Sequence, residues 1–409
     1  MDFFEFLDYS VTPYHTVDFL VREFQKSGFE KEGFVSVRQG ALIAVIPPKN
    51  PSMQSKFRIA LAHTDFPALK IAPNPDCSCA GVRTLHSEIY GSPLFTSWLD
   101  RDLGYAGLLA FEQNGALGTK LVRGSKKFRI PQLAIHLNRG VNQDGLKVNP
   151  QTDLNALWCG CENSEKAAQK FAETLQSELS GNQKLLDFDV QLFDAQPASY
   201  GGWNDEWIYS GRLDNLSSCH AIAEALVSSS PLENDFIVAV FLNNEEVGSV
   251  TREGAGGNFL QSTLEQVWEK TGLPLSSIAS SLSSSFALSI DMAHAEHPNA
   301  PQKHEPNHAP ILGGGVVLKT NAQKRYASDV ISSAQFRLLC EKAAVSYQTF
   351  ITRNDMPCGS TVGPTVSAKL GIPAVDIGEP MLSMHSIREM IAKKDHEDVI
   401  KLVSAFFRD

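Results

Sequence analysis

One pattern, repeated four times, constrains this chain more than any other. A short apolar run rich in β-branched residues ends abruptly in polar or ionisable ones. It occurs as FRIALAHTD (57–65), FIVAVFLNNEE (236–246), FALSIDMAH (286–294) and PAVDIGEPMLSMHS (373–386). Continuous apolar runs of this length read as strands covered on both faces. Amphipathic stretches lie between and after them. LDNLSSCHAIAEALVSS (213–229) carries Leu216, Ile222 and Leu226 at helical spacing, and KDHEDVIKLVSAFFRD (394–409) places Val399, Leu402, Val403 and Phe406 on one face. Strands alternating with helices predict an α/β fold, a mixed sheet flanked by helices.

The middle of the chain breaks the pattern. From about Cys77 to Tyr209 no apolar run ends in ionisable residues. Instead, β-like pieces such as KFRIPQLAIHLN (127–138) and DFDVQLFDA (187–195) mix with one helical segment, SEKAAQKFAETLQSELS (164–180). This predicts a β-rich domain, residues 76–208, inserted into an α/β domain made of 1–75 and 209–409. At 409 residues the chain exceeds the size at which single cores stop growing, about 250–300 residues, so two or three domains suit its length better than one.

Composition excludes several function classes. Hydrophobic residues at 43% and charged residues at 20% suffice for a sizeable core, and the net charge of −10 leaves no basic footprint for nucleic acid. No stretch reaches the roughly 18 apolar residues of a membrane span. The first residues, MDFFEFLDYSVTPYHTV, have neither a basic n-region nor an apolar h-region, so the expected location is cytoplasmic. Seven cysteines, including the pairs Cys77/Cys79 and Cys159/Cys161, are expected as reduced thiols, because C-x-C is a poor match to structural zinc spacing.

Two metal motifs compete. HEPNH (304–308) matches the H-E-x-x-H pattern of zinc proteases, which requires a helix to bring both imidazoles to one face. Pro306 lies between the histidines, with Pro298, Pro301 and Pro310 nearby, and proline inside a helix costs roughly 3 kcal/mol. The match is therefore read as accidental. The strand ends are the stronger candidate, because ligands of open α/β sheets collect beyond the strands' carboxyl ends. In order they carry His63 and Asp65, Asp214, Glu245 and Glu246, Asp291, and His385. Two imidazoles and several carboxylates without a thiolate form the ligand kit of a two-metal site. Each alone has an ordinary alternative, such as a helix cap for Asp214 or a solvated turn for the glutamates. Their recurrence at one position on several strands favours the site.

The motifs LAHTDFP, GRLDNL, NNEEVGS, IDMAHAEHPN, MPCGSTVGP and MHSIREM, with SWLDRDLGYAG (97–107) and AIHLNRG (134–140), occur in an order that resembles the M18 family of metalloaminopeptidases, the aspartyl-aminopeptidase type. The resemblance spans nearly the whole chain. It implies a zinc-exopeptidase-like catalytic domain with an inserted dimerisation domain and a dodecamer built from dimers. It also implies two divalent metal ions, most simply Zn2+ with Co2+ or Mn2+ as substitutes, and peptide substrates with a free N-terminus. Residue by residue, it makes His63, Asp214, Glu246, Asp291 and His385 the metal ligands, with Asp214 bridging. Asp65 orients His63, and Glu245 is the general base. His136 reaches a neighbouring subunit's site, and Lys319 lies near the substrate's first side chain, where it would favour an acidic residue. Phe66, and Asn243 or Asn244, depart from residues common in the family; Phe66 bears on whether acidic or neutral first residues are favoured, and neither departure bears on hydrolysis. A carboxypeptidase or deacylase with a similar shell is the competing class; an N-acetyl-blocked peptide should resist an aminopeptidase alone.

Overall fold

A computed structural model describes residues 1–160 and 170–408. The chain divides into two compact units. The first comprises Met1–Phe66, Ala198–Met384 and Glu389–Asp409; the second comprises Pro67–Pro197 and His385–Arg388.

The first unit is built on an eight-stranded mixed sheet. Its strands are β1 (Phe34–Arg38), β2 (Ala41–Ile46), β3 (Phe57–His63), β4 (Phe236–Leu242), β5 (Phe286–Ile290), β6 (Val316–Lys319), β7 (Tyr347–Phe350) and β8 (Ala374–Gly378). Their spatial order is β1-β2-β4-β3-β5-β8-β6-β7. The four central strands β4, β3, β5 and β8 are parallel, so their carboxyl ends share one edge. All four apolar runs noted in the sequence fall on these four strands.

Their continuous hydrophobicity has a direct cause, because both faces are covered. On β3, Phe57, Ile59 and Leu61 enter one core, and Ala60 and Ala62 the opposite one. On β4, Ile237, Ala239 and Phe241 face the second of these, while Phe236, Val238 and Val240 face the first. The helix Leu213–Val227 and the final helix Lys393–Arg408 close one side. In the final helix Val399, Leu402 and Val403 are fully buried, as its periodicity predicts. The helices Phe259–Lys270 and Val362–Leu370 close the other. A smaller five-stranded sheet runs in the order Ser199–Gly201, Trp207–Ser210, Glu389–Ala392, Pro380–Leu382, Ala293–His294.

The second unit is a six-stranded antiparallel sheet ordered Ala116–Arg123, Leu103–Gln113, Lys184–Asp194, Ala68–Cys79, Val82–Tyr90, Ala156–Gly160. Its own core includes Leu69, Leu85, Tyr105, Phe128, Phe171 and Leu192. The helix expected over 164–180 is described as Phe171–Ser177. Residues 164–169 of that expectation, and Cys161, lie outside the described residues. The run 127–138 is not a strand. Phe128 and Arg129 form isolated bridges, and Ile135–Leu137 is a 3-10 turn. Pro131 lacks the N–H that a ladder needs, which separates the two. The six described cysteines form no disulfide. Among the described residues, no helix is long and apolar enough to cross a membrane.

Candidate metal centre

The shared edge of β4, β3 and β5 brings the sequence candidates of the first unit together. Leu242, the last residue of β4, pairs in register with His63, the last of β3. Asp291 follows β5 directly, its N–H bonded to Ile377 of β8. Asp214 arrives from a different element. Arg212 takes a left-handed conformation, φ 64°, and Asp214 and Asn215 remain non-helical before the regular helix begins. Asn215 Nδ2 donates to the Ile290 carbonyl at the end of β5, which ties this turn to the sheet edge.

His63 is buried, with its ring orientation fixed. Its Nδ1–H donates to the Asp65 backbone carbonyl at 3.0 Å, and the Asp65 carboxylate lies 3.5 Å away. Nε2 is left pointing between Asp214 at 3.6 Å and Asp291 at 3.5 Å. A neutral imidazole would aim a lone pair at two carboxylates. Burial pulls the His63 pKa down, but hydrogen bonding to Asp291 and Asp65 and the charge of Glu245 outweigh it, and the net shift is well upward. The arrangement therefore calls for a cation at Nε2, either a proton or a metal ion.

The glutamate pair sits on a tight 3-10 turn, Glu245–Val247, entered by Asn244 at φ 61° and left by Gly248 at φ 95°. Asparagine tolerates the left-handed region better than most residues, which accounts for its place before the pair. Asn243 Oδ1 accepts the Asn244 N–H, and Asn244 Oδ1 accepts from the Thr251 hydroxyl. The Asp65 carboxylate then takes both backbone N–H groups of the turn, from Glu245 and from Glu246, at 3.1 Å each. Asp65 thus holds His63 mainly through its carbonyl and holds the glutamate turn through its carboxylate.

The donor atoms converge in overlapping sets. His63, Asp214 and Asp291 each offer one ligand atom within 4.8 Å of the others, as do His63, Glu245 and Glu246. Asp214 and Glu246 also lie within this range of one another, so Asp214 is common to His63–Asp291 on one side and Glu246 on the other. Burial, together with Asp291, Asp65 and Asp214, pushes the Glu245 carboxyl up to about 7, against the opposing pull of His63. At Asp291 burial also acts upward, but the Lys319 ammonium, His63 and the Met292 N–H hold the group below the usual carboxylate range. Five carboxylates packed around one imidazole, at a strand edge, fit a divalent cation that accepts both nitrogen and oxygen ligands, as zinc does.

The remaining candidates lie as follows. Lys319 ends β6, fully buried. Its Nζ donates to the Met292 carbonyl at 2.9 Å and lies 3.6 Å from Asp291 Oδ2. His385 belongs to the His385–Arg388 stretch of the second unit, where Ile387 enters the core. Its Nδ1–H donates to the Ser92 carbonyl at 3.0 Å, as the His63 Nδ1–H does to the Asp65 carbonyl. His136 is exposed on the 3-10 turn of the second unit, between the exposed Ile135 and Leu137. The HEPNH segment is a turn, with His304 accepting the His297 N–H and His308 paired with Glu305. One residue escaped the sequence reading altogether. Glu389, buried, accepts the Asp214 N–H at 3.0 Å. It lies inside the MHSIREM motif, but nothing in the spacing links it to Asp214, 175 positions away.

A sheet edge carrying clustered histidine and carboxylate donors defines a metal-dependent hydrolase of the α/β type. The family model described as aminopeptidase I zinc metalloprotease (M18) matches residues 6–407. A probable M18 family aminopeptidase 2 of Pseudomonas aeruginosa is 37% identical over 422 residues, covering 98% of this chain and 96% of that protein. Among solved structures, the cryo-EM structure of the Ape4 and Nbr1 complex superposes with a TM-score of 0.93 at 32% identity, covering 99% of this chain and 84% of that one. The mApe1 dodecamer of S. cerevisiae gives 0.84 at 27% identity, covering 99% and 95%. The chain belongs to the M18 family of zinc aminopeptidases. Its activity is that of a peptide hydrolase of the aminopeptidase class, with a metal cofactor.

Proposed function

We propose that this protein removes the N-terminal residue of peptides at a two-metal centre, with Glu245 as general base. The observation that carries the reading is the sharing of Asp214 between two donor sets. One cation would be held by His63, Asp214 and Asp291, the other by Asp214 and Glu246 with the histidine that the family resemblance supplies, His385. Zinc suits these donors best, with cobalt or manganese as substitutes. When bound, such ions polarise a carbonyl and acidify water.

The chain's own residues do the rest. Asp65 fixes the glutamate turn so that Glu246 and Glu245 diverge, one to a cation and one to the reacting water. A Glu245 carboxylate oxygen takes the water proton during attack on the peptide carbonyl and delivers it to the leaving amine. Its raised pKa suits both halves of that transfer. Lys319 restrains Asp291 through a contact of 3.6 Å, and its charge would favour an acidic first residue. Phe66, buried beside Asp65, shapes the same region.

Assembly belongs to this reading. His136, flanked by the exposed Leu133, Ile135 and Leu137, has the setting of a residue presented to a second copy. A dodecamer of dimers, formed through the second unit, would bring it to a neighbour's site. The deciding experiment pairs Glu245→Gln with wild type on a panel of aminoacyl fluorogenic substrates. Zinc binding should persist in the variant while turnover falls by orders of magnitude, and a fully active variant would defeat the assignment.

A further inference from the structure

The proposed bridging ligand has an unusual backbone. Asp214 has φ −80° and ψ 105°, outside helical values, although the helix Leu213–Val227 surrounds it. As the second residue of the helix it has no acceptor for its N–H in the helical ladder, and that N–H is buried. A buried N–H without an acceptor is costly, so the position of Asp214 depends on what receives it.

Glu389 receives it. This carboxylate is 3% exposed and accepts the Asp214 N–H at 3.0 Å. Its own backbone is rigidly placed. It opens the strand Glu389–Ala392, and it pairs in register with Ser210. From Ser210 the chain turns through Arg212, whose guanidinium holds the Leu7 carbonyl, and returns Asp214 to the Glu389 side chain. The two ends of this turn are thus fastened to the same residue, one through the sheet and one through the carboxylate. On the other flank, Asn215 Nδ2 is bonded to the Ile290 carbonyl.

We infer that Glu389 is a positioning residue for the metal centre: by taking the Asp214 N–H it sets where the Asp214 carboxylate stands between the two donor sets. This rests on the proposed role of Asp214 as a shared ligand. Glu389 is assigned no contact with substrate or cation. It acts through Asp214, as groups behind metal ligands commonly do, where their loss lowers metal affinity about 10–100-fold. The bond is a charge-assisted one to a backbone donor, which resists thermal excursion better than a neutral pair.

The test uses zinc titration calorimetry on the metal-stripped full-length protein, with circular dichroism for folding and steady-state kinetics at saturating zinc. Glu389→Ala should remain folded, lose about 10–100-fold in zinc affinity, and show a reduced kcat with little change in KM. Glu389→Gln keeps an acceptor oxygen and should restore most of both. Where Glu389→Ala fails to fold, Glu389→Asp, shortened by one methylene, carries the same expectation. Wild-type zinc affinity and kcat in the alanine variant would overturn the inference, as would a glutamine variant no better than alanine. Asp214→Asn separates the two levels. If it loses zinc while Glu389→Ala does not, only the positioning role falls. If Asp214→Asn binds zinc as wild type does, the ligand reading itself falls.

Discussion

At the scale of single residues, the chemistry depends on which proton sits where. His63 spends Nδ1–H on a carbonyl and turns Nε2 toward carboxylates, so a metal ion bound as proposed would compete with a proton for one position. The sign of the pH dependence follows. In the metal-free protein the His63 pKa is raised, so its stabilising contribution is complete below the unfolded value near 6.5 and is lost as pH rises through the folded value. Glu245 is raised to about 7, so the folded protein holds a proton that the unfolded chain releases near 4.5, and stability again falls as pH rises through that window. Metal uptake at the proposed centre would displace these protons and so strengthen as pH rises. The rise in melting temperature on zinc addition should therefore be larger at pH 8 than at pH 5.5, measured by calorimetry against an EDTA-treated control. An equal or opposite trend would contradict the proton competition.

At the scale of elements, the site is made by turns held open at strand ends. Asn244 occupies the left-handed region before the glutamate pair, and a β-branched residue there is strained by about 1–2 kcal/mol. Asn244→Val should lower stability by about that amount in chemical denaturation and reduce turnover, whereas Asn244→Gly should be much milder. Gly378, the last residue of β8, has a different reason to lack a side chain. A Cβ there would overlap the carbonyl oxygen of Asp291 on the neighbouring strand end. Gly378→Ala should displace Asp291, lowering zinc affinity and costing about 1–3 kcal/mol of stability. A variant with unchanged zinc affinity would show that Asp291 tolerates the shift. The supporting helices are ordinary in comparison. Leu402 is completely buried in the final helix, and Leu402→Ala should cost about 2–5 kcal/mol without a specific effect on metal binding.

At the scale of the whole molecule, the second unit presents an exposed apolar run. Leu133, Ile135 and Leu137 are 61%, 45% and 73% exposed, too much clustered apolar surface to be explained by the unit's own core. Light scattering is expected to show an assembly near twelve copies, and Ile135→Asp with Leu137→Asp should reduce its size. A stable wild-type monomer would refute the assembly, and with it the role of His136. EDTA should abolish activity, with recovery on adding zinc, cobalt or manganese.

The legible part of this protein is one-dimensional. Buried parallel strands must be apolar on both faces, so β3, β4, β5 and β8 stand out as continuous runs, and the ionisable residues that interrupt them mark the sheet edge. That is why His63, Asp65, Glu245, Glu246 and Asp291 could be listed before any coordinate. The final helix was equally plain, since a 3.6-residue period needs no tertiary information. The 127–138 run was misleading because apolar content alone does not distinguish a strand from a segment that buries Phe128 and Ile130, is interrupted by Pro131 and then runs exposed. Glu389 was invisible for a different reason. Its role is to receive one backbone N–H from a residue 175 positions away, and a backbone donor leaves no mark in sequence. So too with the carboxylate of Asp65, which grips the two glutamates through their amides and not through their side chains. Residue identity announces the groups that meet metal and substrate, because chemistry demands particular side chains. Which backbone groups hold them in place is settled only when the chain closes on itself.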